Sequence, residues 1–203
     1  MTDWHFYEPA EGHGLKHDPL NAIVAPRPIG WISSLSPSGV RNLAPYSFFN
    51  LFNYRPPLIG FSSMGWKDSV ANIAETREFV WNLATMELAE AMNATSANVA
   101  ADEFALAGLE SAPSRLVACP RVAASPAAFE CRLTQLVRLE TKEGRQLDQW
   151  LVIGEAVGIH IDAAMLDDGV YRTARARPIV RGGGPADYFE ITEDRRFEMR
   201  RPD

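Results

Sequence analysis

Ten consecutive residues, Gly60-Phe61-Ser62-Ser63-Met64-Gly65-Trp66-Lys67-Asp68-Ser69, put an apolar run, hydroxyls, a cation and a helix start in direct succession. A helix N-terminus presents unpaired backbone N–H groups at the positive end of its dipole, which suits an anion such as phosphate. Lys67 adds a full charge, and Ser62, Ser63 and Ser69 add donors. The competing reading is structural: Asp68 caps the helix and Lys67 is solvated. The glycine spacing fits neither a P-loop nor a dinucleotide fingerprint.

A second candidate combines Ala25-Pro26-Arg27-Pro28-Ile29-Gly30-Trp31-Ile32-Ser33-Ser34 with Asn42-Leu43-Ala44-Pro45-Tyr46-Ser47-Phe48-Phe49-Asn50. A flat heteroaromatic ring needs an apolar slot with a few donors and acceptors around its edge. Trp31, Tyr46 and Phe48 would wall such a slot; the alternative is that each is a core residue. His13 and His17 stand four apart, but Gly14 and Asp18-Pro19 argue against a helix that would aim them at one metal. His160 reads as a surface or interface residue, and Gly182-Gly183-Gly184-Pro185 as a hinge or tight loop. No Ser/His/Asp arrangement and no carboxylate pair suggests hydrolysis.

The elements that must position these residues are mostly strands. Ile29–Leu35 and Val40–Leu43 flank the turn Ser36-Pro37-Ser38-Gly39 and predict a hairpin. Leu58–Ser63 and Phe79–Leu83 are further apolar runs. In 129–140, Phe129, Cys131, Leu133, Val137 and Leu139 alternate with Glu130, Arg132, Thr134, Arg138 and Glu140, which predicts a strand with one buried face. Residues 151–161 supply its partner, across a charged loop from Thr141 to Asp148. Val70, Ile73, Ala74 and Arg77 predict a helix capped by Asp68, and Leu88, Ala91, Met92 and Thr95 one capped by Thr85. Residues 1–18 read as an irregular arm, 96–126 as short helical or irregular pieces, and 186–203 as a C-terminal extension.

The chain of 203 residues, 46% hydrophobic and 23% charged, reads as one domain with a sizeable core. A net charge of −6 argues against non-specific binding to nucleic acid or anionic lipid. Cys119 and Cys131 form no paired framework and are expected as free thiols, which points to the cytoplasm. No N-terminal basic flank leads into an apolar run, and no apolar stretch is long enough to span a bilayer.

Taken in order, these segments resemble the flavin reductase-like family with the FMN-binding split barrel, especially its flavoredoxin-like branch. The resemblance is carried by Arg27–Ser33, Asn42–Asn50, Lys67–Ile73, Glu78–Leu83, Met92–Ser96, Asp102–Phe104, Gly108-Leu109, Pro120–Ala123 and Glu130-Cys131, over roughly residues 20–185. It implies a mainly β (α+β) fold: a six-stranded antiparallel split β-barrel of Greek-key topology with flanking short helices, in a homodimer that binds FMN near the subunit interface. Carried onto this chain, Ser33 and Ser34 reach the ribityl chain or phosphate. Ala44, Pro45, Tyr46 and Ser47 line the isoalloxazine edge, Ser62, Ser63, Lys67 and Ser69 hold the phosphate region, and Trp31 packs near the ring. One departure stands out: the short flavin reductases that feed oxygenases commonly carry a His five residues before the Gly of the late strand, where this chain has Gln149.

The function implied is hydride transfer from NADH or NADPH through bound FMN to an acceptor or a partner oxygenase. Two alternatives stay open. One is a non-catalytic flavin- or haem-binding module, kept in play by His160 and the N-terminal histidines. The other is a relative of pyridoxamine-phosphate oxidases, with Arg172, Arg175, Arg177 and Arg181 as the substrate-phosphate cluster.

Overall fold

The computed structural model describes residues 2–97 and 102–202. The fold is mainly β. Seven antiparallel strands form the main sheet in the order Arg41–Tyr46, Gly30–Leu35, Glu78–Asn82, Ala127–Glu140, Gln146–Ile161, Pro57–Met64, Phe49–Tyr54. The sheet curls into a barrel: Tyr46 on one edge strand meets Phe61 near the other edge with ring centroids 4.4 Å apart. Ser62 N–H donates to the Phe48 carbonyl at 2.8 Å, yet the two edge strands form no ladder with each other among the described residues.

Six of these strands match the runs expected from sequence. The seventh, Phe49–Tyr54, corrects the expected count of six. It lies at the sheet edge with five of its six residues exposed, so no buried face imposes the two-residue alternation that reveals a strand.

The long hairpin of Ala127–Glu140 and Gln146–Ile161 is the spine of the molecule. The second strand begins at Gln146, inside the segment expected as loop, which leaves a short turn closed by Thr141 and Arg145. The core inside the barrel gathers Ile32, Tyr46, Ile59, Phe61, Val70, Ile73, Phe79, Cys131, Leu133 and Val152. Gly154 is required here: a Cβ at this position would sit 2.4 Å from the Phe79 ring. Both cysteines are free and buried, and burial pushes the Cys119 thiol up to about 12.

The helix Asp68–Thr76 closes one end of the barrel by burying Ser69, Val70 and Ile73. Its N-cap is Lys67, with no side-chain cap, so Asp68 is the first helical residue rather than the expected cap. The helix stops at Arg77, left-handed at φ 67°, whose carbonyl accepts from Leu133 N–H at 2.8 Å. Thr85 precedes a 3₁₀ turn, Met86–Leu88, that leads into the helix Ala89–Ala94, again without a side-chain cap. The loop 96–126 carries the short helix Glu103–Leu106; residues 98–101 lie outside the described residues.

Residues 2–19 contain one 3₁₀ turn, Pro9–Glu11. The C-terminal segment contributes the strand Tyr188–Glu190, which pairs with Ile179–Arg181, which in turn pairs with Arg27–Pro28. Arg27 ties this corner together by donating to the carbonyls of Asn21 (2.7 Å), Val24, Ser47 (3.1 Å) and Gly182 (3.1 Å). The Gly182–Gly184 run forms the tight turn: a Cβ on Gly183 would meet Ala22 at 2.4 Å.

Candidate functional site

The uncapped start of the Asp68–Thr76 helix opens into a cleft of about 600 Å³. Ala44, Pro45 and Tyr46 form one wall, Lys67, Asp68 and Ser69 another, and Thr95, Ser96, Ala97 and Glu103 a third. A polar network braces the helix end. Asn42 Nδ2 donates to Ser69 Oγ at 2.8 Å and to Ser34 Oγ at 3.3 Å, and Asn72 Nδ2 donates to Ser34 Oγ at 3.2 Å. Ser34, Asn42 and Ser69 are all buried, so this network fixes where the first turn of the helix stands.

Two titratable groups in the wall are displaced by their surroundings. Burial pushes the Tyr46 phenol up, against the pull of hydrogen bonds to the Ser69 and Ser63 hydroxyls. Burial likewise raises the Glu103 carboxyl, and nearby Asp68 and Asp102 add to the rise. The backbone N–H of Leu43, which donates to Glu103 Oε2 at 3.1 Å, opposes it. Lys67 remains exposed at the mouth.

The structure brings together five of the sequence-expected residues, Ala44, Pro45, Tyr46, Lys67 and Ser69, with Ser34 joined to them through Asn42. It places the others elsewhere. Ser33 faces the opposite side of its strand from Ser34 and donates to the Pro120 carbonyl, because neighbouring strand residues point to opposite faces. Trp31 is fully buried core, and its indole N–H donates to Thr95 Oγ1 at 3.0 Å. It therefore supports the Thr95 wall from behind.

Ser62 accepts from Gln149 Nε2 at 2.6 Å and lines a separate cleft with Phe48, Phe49 and Leu151. Ser63 is buried, donates to the Gly65 carbonyl at 3.0 Å and touches the site only through Tyr46. Ser47 offers its carbonyl to Arg27. Sequence reasoning missed Asn42, Asn72, Thr95 and Glu103 as individual site residues, although the segments that contain them were among those carrying the resemblance.

The other sequence candidates are engaged in structural contacts. His160 Nε2 bonds to the carboxylate of Glu130. Arg172 pairs with Asp167, and Arg177 with Glu87 and Glu190; Arg175 and Arg181 donate to nearby carbonyls. These arginines do not converge on one pocket. Among the described residues, no group of three or more His, Cys, Asp or Glu side chains is placed to hold a metal, and no helix is long and apolar enough to cross a membrane.

Comparison with known proteins places this geometry in context. Residues 24–179 match the flavin reductase like domain. An uncharacterised protein of Aquifex aeolicus (strain VF5) is 36% identical over 170 residues, covering 80% of this chain and 83% of that one. Among solved structures, nitrilotriacetate monooxygenase component B from Bacillus cereus superposes with a TM-score of 0.80 at 31% identity, covering 89% of this chain and 91% of the other. The 2-nitrobenzoate 2-nitroreductase NbaA of Pseudomonas fluorescens gives 0.79 at 31% identity, over 90% and 88%. With this match over most of its length, and with the barrel that the match implies, the chain belongs to the flavin reductase-like family.

Proposed function

We propose that the cleft at Lys67 holds FMN non-covalently and that the protein carries a hydride from NADH or NADPH through it to an acceptor or a partner oxygenase. The observation that carries this reading is the uncapped helix N-terminus beside Lys67, facing the Ala44–Tyr46 edge across one cleft. The backbone amides and the ammonium group suit the terminal phosphate. Ser69, held by Asn42, adds a hydroxyl, and the backbone of Ala44–Tyr46 borders the flat ring system.

When bound, flavin supplies the hydride chemistry itself. What this chain contributes is orientation, a dry wall built on Tyr46, and fixed dipoles at the anionic end. No side chain is required as an acid, so Gln149 in the place of the family's His is compatible with turnover; its amide is spent on Ser62. The Bacillus cereus neighbour, named as a monooxygenase component, supports a partner oxygenase as the destination of the electrons. The Pseudomonas neighbour, named as a nitroreductase, supports a small-molecule acceptor.

In this reading the chain is one cytoplasmic domain, works as a homodimer, and its curled sheet is the split barrel of the family. The test is an absorption spectrum of the purified protein with added FMN, followed by anaerobic NADH and NADPH. Bound flavin that bleaches with either nucleotide is expected. Protein that neither retains FMN nor gains thermal stability from it would overturn the assignment.

A further inference from the structure

A second cleft, of about 780 Å³, lies against the long hairpin, and Arg115, Arg121, Glu130, His160 and Asp162 meet there. At its base Glu130 is fully buried on the sheet face opposite the barrel core. Its carboxylate accepts the backbone N–H of Arg115 (2.8 Å), Leu116 (2.6 Å) and Val117 (3.2 Å), together with His160 Nε2. Burial alone would raise this carboxyl, but these donors hold it below its ordinary value. The charge of Glu130 is thus answered within the fold, and the imidazole it braces keeps Nδ1 as its remaining polar atom. Asp162 is also engaged, accepting from Ala164 N–H at 2.9 Å.

Arg121 differs from its neighbours. Its Nε is buried with no hydrogen-bond partner among the described residues, while the side chain as a whole stays partly exposed and lines the cleft. A guanidinium is always charged, and its planar fork of donors matches carboxylate and phosphate oxygens. A buried donor of that kind without an acceptor is unusual in a native protein. The volume of the cleft admits a ring-sized molecule.

We propose that this cleft binds an organic molecule through a terminal oxyanion, with Arg121 as its principal donor and His160, braced by Glu130, as a second contact. The site is separate from the Lys67 cleft, and the inference does not depend on flavin binding. The shared chemistry is the oxyanion; a carboxylate and a phosphate are its two possible sources.

The test uses ¹⁵N-labelled protein, saturated with FMN, titrated with benzoate, with phenyl phosphate and with neutral benzamide, while the N–H resonances of the Arg121 guanidinium are followed. Benzoate or phenyl phosphate should shift those resonances saturably, and which of them binds tighter identifies the source; benzamide should not shift them. R121Q should weaken binding by about tenfold or more, the scale of a lost charge-assisted hydrogen bond, and K67Q should leave it unchanged. Should R121Q fold poorly, R121K and H160N supply the same comparison, each with weakened binding expected. The proposal is overturned if neither anion binds, if benzamide binds as well as benzoate, if the folded Arg121 variant binds like the wild type, or if K67Q abolishes the effect.

Discussion

Two runs of three backbone amides in this chain contrast: one is answered by a side chain of the protein and the other receives no side-chain cap. At Arg115–Val117 three amides converge on the carboxylate of Glu130, which also holds His160. At Asp68–Val70 the opening amides of a nine-residue helix receive no side-chain cap, and a lysine stands at the N-cap position. The first arrangement fastens the 111–125 loop to the sheet and fixes structure. The second is left without a side-chain acceptor, and in the proposed reading the phosphate of FMN takes that place. The contrast separates donors that are spent on building structure from donors that the fold leaves open.

The contrast can be broken most forcefully at Glu130. E130A leaves three amides and an imidazole without an acceptor and should destabilise the fold by about 3–5 kcal/mol, read by urea denaturation. An E130A variant that unfolds at the wild-type midpoint would erase the distinction between the two places.

The same carboxylate predicts an acid limb. Its native value is lowered relative to about 4.3 in the unfolded chain. The stabilisation is therefore fully present above the unfolded value and is lost as pH falls through the native one. Wild type should lose stability on acidification below about pH 5, and E130Q should show a flatter limb over the same interval.

At the other place, K67Q should raise the dissociation constant for FMN by about tenfold, roughly 1.4 kcal/mol, with the gap narrowing at high salt. Its melting temperature should stay near wild type, because Lys67 is exposed. Unchanged affinity would remove the lysine from the site.

The smallest effect sharpens the contrast within one strand. S34A loosens Asn42 and Asn72 and should weaken FMN by a few-fold, about 0.5–1.5 kcal/mol. S33A, on the opposite face, should lower the melting temperature and leave FMN affinity alone. Equal effects of both variants on affinity would contradict the assignment of faces.

Most of the strand framework was legible, because period-two alternation is a direct product of a buried sheet face. That same alternation misled at Glu130. It groups this residue with Arg132 and Thr134 on the solvent side, whereas the 111–125 loop covers that face near Glu130 and carries no periodic signal of its own. That Lys67 and Ser69 share one cleft was readable from the strand-to-helix junction. The full burial of Trp31 was not, since an aromatic in an apolar run fits a ligand wall and a core equally well. Ser62 and Ser63 part for a geometric reason: adjacent residues on a strand face opposite sides, so Ser62 meets Gln149 and Ser63 meets Gly65.

The rivet at Arg27 bears on how the domain may be cut. The family match runs from 24 to 179, but two of the four carbonyls gripped by this guanidinium, those of Asn21 and Gly182, fall outside those limits. Trimming the gene to the matched span would strip half the acceptors from a permanently charged group. The carbonyl of Ser47, next to Tyr46 in the chain, would then be anchored by an arginine no longer held at its far side. Minimal versions of this protein should accordingly be designed with several residues to spare at both ends.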